Sequence, residues 1–202
     1  VNESNSPYSS PVRADVMYEN MMKKFKFGGI EENPDIYLDE NVLRMTVNIR
    51  GNFGRLAEAL VAKGEKEKAA EVIDYSLKSM PSDRVPHSVF DYNYPEIYYA
   101  AGQKEKGRKL LTEMLDKAND ELRYYKAVYQ QDLSEARDGG DMAYYAQLQQ
   151  GQFMERREVR EQLYILQELA MATKKYEDAD FTAKVEKTFN DWRMSFVQMP
   201  KQ

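Results

Sequence analysis

The stretch from Arg50 to Asp83, RGNFGRLAEALVAKGEKEKAAEVIDYSLKSMPSD, limits the fold more tightly than any other part of the chain. Large apolar residues recur every three or four positions on both sides of Lys63-Gly64-Glu65: Phe53, Leu56 and Leu60 before it, Ile73, Leu77 and Met80 after it. That spacing gathers them on one face of an α-helix. Gly64 can end the first helix because glycine enters the left-handed region at little cost. Pro81 ends the second, having no N–H to continue the ladder. Ala57, Ala69 and Ser76 are small and let the two axes approach. The expectation is a tight helix–turn–helix, from about Glu40 to Lys63 and from about Lys66 to Met80.

With Arg50 as position 1, Phe53, Leu56, Ala57, Leu60, Gly64, Ala69, Ile73, Ser76 and Pro81 fall at positions 4, 7, 8, 11, 15, 20, 24, 27 and 32. This matches the 34-residue tetratricopeptide signature. A degenerate second copy follows. Gly102 lies 38 residues after Gly64, and Ala-Ala-Gly-Gln-Lys-Glu-Lys-Gly echoes Val-Ala-Lys-Gly-Glu-Lys-Glu-Lys-Ala-Ala. Its repeat positions are Tyr94, Pro95, Tyr98, Gly102, Gly107, Leu111 and Met114. Pro95 does not suit a helix interior, so this first helix is expected to start between Asp91 and Tyr94. Residues 163–189 read as a third, eroded repeat with Ala179 at the small-residue position.

The remaining segments are also helical in pattern. Residues 1–12, rich in Ser, Asn and Pro, read as a disordered tail in which Asn2-Glu3-Ser4 is a sequon of little weight. A helix is expected over Asp15–Phe27, stopped by Gly28-Gly29. Asp39 is a plausible N-cap, with Leu38 and Leu43 at hydrophobic-staple spacing. Gly51 and Gly54, inside a helix, predict close approach of another backbone. After Gln103 one stripe runs through Leu111, Leu115, Ala118, Leu122, Tyr125, Tyr129, Leu133 and Ala136, as one helix or as two hinged near Asn119-Asp120, until Gly139-Gly140. Helices over about 141–150, 152–173 and 176–197 complete the chain, the last with Phe181, Val185, Phe189, Trp192 and Phe196 on one side. No strand-like alternation is present. The expected fold is all-α: two tetratricopeptide-like hairpins, an eroded third, and long additional C-terminal helices, with 1–14 as tail and 15–198 as a single domain.

Composition excludes several function classes. A formal charge of −5 and pI near 5.2 oppose nucleic-acid binding, which selects basic stripes. No apolar run reaches the roughly 20 residues needed to cross a bilayer, so no direct membrane insertion is expected. With no cysteine and a single histidine, His87, there are no disulfides, thiol chemistry, zinc–thiolate sites or histidine-based triads to assemble. His87 is expected in an exposed Pro-rich loop. With Val1 at its start, the chain reads as a processed protein or a piece of a longer one.

No cofactor, metal or catalytic residue is expected. Gly102 and Gly107 have P-loop spacing, but Arg108-Lys109 stand where Lys and Ser/Thr are needed and no strand precedes them. The acidic pairs Glu31/Glu32, Asp39/Glu40, Asp138/Asp141 and Asp178/Asp180 lie at helix ends or in polar loops, where capping and solvation account for them. Of the fifteen tyrosines, Tyr92, Tyr94, Tyr98, Tyr99 and the pairs Tyr124-Tyr125 and Tyr144-Tyr145 concentrate in the middle of the chain, where they serve either as core or as binding surface. In a repeat register, the first helix of each hairpin lines a groove. That register turns Arg55, Glu58, Tyr92, Asn93, Glu96 and Tyr99 toward a protein or peptide partner.

Lys24-Phe25-Lys26-Phe27-Gly28-Gly29, then Tyr37 through Met45 (YLDENVLRM), then Arg50, Phe53 and Arg55-Leu56-Ala57 carry a more particular likeness. Over most of residues 15–120 the chain resembles the C-terminal soluble region of a bacterial membrane-protein family long classed as of unknown function. Its multi-pass N-terminal part is similar to protein O-mannosyltransferases. The resemblance implies the extracytoplasmic, periplasmic tail of a glycosyltransferase that uses a lipid-linked sugar. The catalytic acids of such enzymes lie in the membrane part, so none is carried over. Partners would be an acceptor protein, or the parent's own membrane domain. It also implies a polar patch of Tyr37, Asp39, Glu40, Asn41 and Arg44, for which helix capping and salt bridges are the competing account. A free-standing adaptor binding an extended peptide is the alternative function.

Overall fold

The computed structural model describes residues 13–148 and 156–197, and among these every regular element is helical. The expected tail over 1–12 and its sequon lie outside the described residues, as do residues 149–155 of the expected helices and the side chain of Phe196. The chain divides into two compact units, Val1–Gly107 and Arg108–Gln202.

In the first unit, helix α1 (Ala14–Glu19) continues into a π-helical turn, Asn20–Lys24, burying Ala14 and Met21. Gly28 and Gly29, at φ +62° and +82°, then reverse the chain. Helix α2 (Glu40–Ala62) starts where expected: the Asp39 carboxylate accepts the Val42 N–H at 2.9 Å. Its first turns carry exposed apolar residues, Val42 and Met45. The C-terminal half buries Phe53, Leu56, Ala57 and Leu60 against helix α3 (Lys66–Ser79). From α3 the buried residues are Ala69, Ala70, Val72, Ile73, Ser76 and Ser79, while Leu77 is only half-buried. Two rings from these helices, Phe53 and Tyr75, pack 5.9 Å apart.

Gly64 ends α2 by a definite device. At φ +80°, it donates to Val61 C=O at 2.9 Å, and Glu65 N–H reaches Leu60 C=O at 2.9 Å, so two carbonyls orphaned at the helix end are satisfied. The same pair of bonds recurs at Gly102, φ +79°, and at Gly140, φ +76°. The separation is 38 residues in both cases. Gly102 ends the short helix α4 (Tyr94–Ala100), whose first turn holds Pro95 where its missing N–H costs nothing. Gly140 ends helix α5 (Lys104–Asp138), which is one uninterrupted helix of 35 residues with no hinge at Asn119-Asp120.

The second unit comprises α5 from Arg108 onward, α6 (Met142–Gln147), α7 (Arg157–Tyr176) and α8 (Ala179–Val197). The α5 stripe Leu111, Leu115, Ala118, Leu122, Tyr129 and Ala136 is buried. From α7 come Val159, Ile165, Leu166, Leu169 and Ala170, and from α8 Val185. Helix directions follow from the cross-links. Arg156 pairs with Asp132 at 3.1 Å and Glu177 with Arg108 at 3.2 Å, so α7 runs antiparallel to α5. Trp192 Nε1 donates to Asn119 at 2.6 Å and Phe181 lies under the Arg108 guanidinium at 4.2 Å, so α8 returns parallel to α5. Ala179 is an exposed first-turn residue rather than a packing contact, because the α7–α8 turn is capped by Asp178, which accepts Phe181 N–H at 2.8 Å.

Candidate functional site

The candidate groove is built by the outward side of α2 and the segment entering α4. Once Phe53, Leu56, Ala57 and Leu60 face the core, the helical period turns Arg55 and Glu58 to solvent, and both are exposed. Residues 90–94 come close because α2 presents glycine there. A Cβ on Gly51 would meet Phe90 Cβ at 3.1 Å, and one on Gly54 would meet Asn93 Oδ1 and the Tyr94 ring at 3.2 Å. Asn93 Nδ2 thereby reaches Glu58 Oε1 at 2.5 Å. Asn93 Oδ1 is buried with no hydrogen-bond partner among the described residues. Tyr92 and Glu96 flank it, half-buried.

Tyr99 does not join them. It is 7 % exposed, and its ring lies 3.0 Å from where a Cβ of Gly107 would stand. The absence of a side chain at Gly107 creates that slot, and the ring fills it as core. Tyr94 and Tyr98 are likewise buried, whereas Tyr124 is exposed. Burial, together with the neighbouring Asp74 carboxylate for Tyr98, pushes both phenols well above their ordinary value.

The patch at Tyr37, Asp39, Glu40, Asn41 and Arg44 is exposed throughout, with Tyr37 at 88 %. Its bonds are local. Asp39 caps Val42, and Arg44 Nη2 donates to Asn41 Oδ1 at 3.0 Å within the first turn of α2. This is a helix start, not a converged constellation.

A fully buried polar cluster lies outside the candidates read from the sequence. Arg50 and Asp91 are fully buried, 3.1 Å apart through Nη1 and Oδ2. Arg50 also donates to the carbonyls of Pro86, at 3.1 Å, and Met80. His87 Nδ1 lies 2.6 Å from the same Asp91 oxygen, and Ser88 N–H donates to the other at 2.7 Å. The Tyr94 hydroxyl donates to Arg50 C=O at 2.7 Å and meets Ser76 Oγ at 2.8 Å. The histidine is therefore not in an exposed loop: its side chain is 4 % exposed, because pairing with Asp91 draws residues 86–91 down onto α2. Two signals were available, an arginine three residues before Phe53 on the apolar side of α2, and a His–Asp pair at i, i+4.

No family model, curated protein or solved structure matches this chain. What it can do is read from its geometry alone. The Arg50–Asp91–His87 cluster is closed to solvent and ties the loop 81–93 to α2. Gly102 and Gly107 serve a helix end and a ring contact, not a phosphate cradle. No group of three or more acidic or histidine side chains placed to hold a metal ion occurs among the described residues. Among the same residues no helix is long and apolar enough to cross a membrane.

Proposed function

We propose that this chain is a non-catalytic helical-repeat module that receives a protein segment on the outward face of α2 and the entry to α4. The observation that carries this reading is the Glu58–Asn93 bond. It joins the outward faces of two successive hairpins into one surface, beside the exposed Arg55. Support for a tetratricopeptide-like repeat comes from the identical glycine turns at Gly64, Gly102 and Gly140. The larger role we infer is that of the periplasmic tail of a membrane glycosyltransferase, positioning its acceptor protein. That part rests on the likeness over residues 24–59.

Binding of labelled extended peptides from a random panel, followed by fluorescence anisotropy, tests the surface. Arg55→Ala and Glu58→Ala should each weaken the best binder by about fivefold, with an unchanged circular dichroism spectrum because both side chains are exposed. Parent-like affinity in both variants refutes the assignment. The reading frame upstream of Val1 tests the larger role: several apolar spans support it, and a start codon followed by a signal peptide overturns it in favour of a free-standing adaptor.

A further inference from the structure

A second recess lies in the first unit, away from Arg55, Glu58 and Asn93. The chain is extended at Phe25 (φ −66°, ψ 143°) and then reversed by Gly28 and Gly29, so residues 25–32 line, with Tyr75 and Ser79 of α3, an open recess of about 430 Å³. Its walls include Phe25, Phe27, Tyr75 and Ser79, with Glu31 and Glu32 at one side. Two of the rings pack on neighbours: Phe27 lies 6.0 Å from Phe53 and 6.2 Å, edge-on, from Tyr75, whereas Phe25 is exposed. The curl is fastened as well. Lys78 pairs with Glu31 at 3.1 Å, and Arg84 Nη1 donates to the carbonyls of Ile30 and Glu31 at 2.9 and 3.0 Å. The recess therefore exists before anything occupies it.

We propose that this cavity receives a cationic side chain, an arginine or a lysine, of a partner protein. Aromatic faces carry negative charge density and attract a cation laid over them, while their area accommodates its aliphatic stem. Glu31 is already paired with Lys78, but Glu32 is exposed and has no ion-pair partner among the described residues, leaving one carboxylate available to the incoming head group. Lys26, exposed at the mouth, opposes a cation, so it sets the sign of the test. The chain's net charge of −5 adds long-range attraction in the same direction.

The test titrates the isotope-labelled chain with Nα-acetyl-arginine amide, Nα-acetyl-norleucine amide and Nα-acetyl-glutamate amide, following the amide resonances of Gly28, Gly29 and Ile30. The arginine probe should give saturable shifts. Glu32→Gln should weaken it by about threefold and Lys26→Ala should tighten it. The two side chains varied are exposed and the three signals followed are backbone amides, so folding is not at stake. Equal shifts with the norleucine or glutamate probe, unchanged affinity in Glu32→Gln, weakening in Lys26→Ala, or no saturation overturns the proposal. None of these outcomes touches the groove on α2 and α4.

Discussion

Replacing Asp91 with alanine is the sharpest test of how the first unit is held together. In the folded chain the carboxylate neutralises Arg50, which is itself fully buried, and it receives His87 Nδ1 and Ser88 N–H. Asp91→Ala leaves a guanidinium charge sealed from water with only the Met80 and Pro86 carbonyls for company. Breaking a buried ion pair from one side costs about 3–5 kcal/mol. The orphaned Ser88 N–H adds roughly 1 kcal/mol or more. A domain of this size has about 5–15 kcal/mol in total, so the loss is a large share of it. Urea denaturation followed by far-UV circular dichroism measures the change. The cost arises from the stranded charge, so a double-variant cycle with Arg50→Met isolates it. The double variant removes the stranded charge and keeps most of the side-chain volume, and should show a coupling of about 2 kcal/mol or more. A coupling under about 0.5 kcal/mol, or a single-variant loss under about 1 kcal/mol, refutes the account of a buried latch.

Two further outcomes follow from groups elsewhere in the structure. Tyr94 and Tyr98 are held protonated by burial, with folded values above the ordinary phenol value near 10. Their contribution to stability is therefore complete below about pH 10 and is lost as pH rises toward the folded values. Absorbance at 295 nm should show a fraction of the fifteen tyrosines ionising only as helix content collapses, and titration of all of them with the helix intact would contradict this. In the second unit, Arg108 stacks on Phe181 and pairs with Glu177, whose side chain is fully buried. Arg108→Gln should cost about 2–3 kcal/mol, read from the fluorescence of Trp192, and an unchanged midpoint would show that the α7–α8 turn is held by other contacts.

The parts of this structure that were legible in the sequence are those set by local backbone chemistry. Asp39 caps α2, Gly64 and Gly102 end helices, Pro95 delays α4, and Gly51 and Gly54 admit a neighbouring segment; each follows from what one residue type allows its own backbone to do. The misreadings share a different cause. Tyr99 lies on the first helix of a hairpin, but whether a tyrosine faces a partner or a core depends on what stands opposite. Here Gly107 leaves a slot of its size. His87 sits among Pro, Ser and Asp residues that signal solvent, yet it pairs with Asp91, 4 residues on, which in turn pairs with Arg50, 37 residues before His87. Arg50 itself carries an apolar stem in register with Phe53 and a charge that register alone does not place.

The long helix α5 shows how the 38-residue interval between glycine turns can be present and still hard to see. Between the first two glycine turns the chain is broken by Pro81 and the loop that Arg50 clamps, so α3 and α4 are separate elements. Between Gly102 and Gly140 no proline or loop intervenes, and one continuous helix fills the interval. An uninterrupted apolar stripe reads as one long element, so the sequence offered a third repeat at 163–189, where the turn is capped by Asp178 instead of glycine. The 38-residue interval persists through α5 because it is carried by the helix ends, not by the loops. This gives the proposed module a physical basis for unequal parts. The first unit, with its clamped loop, presents separate helices and a polar outward face, whereas the next interval is filled by continuous helix. Asn119→Pro, in mid-α5, would therefore introduce a break into this helix and would remove the Trp192–Asn119 bond and an internal helix hydrogen bond.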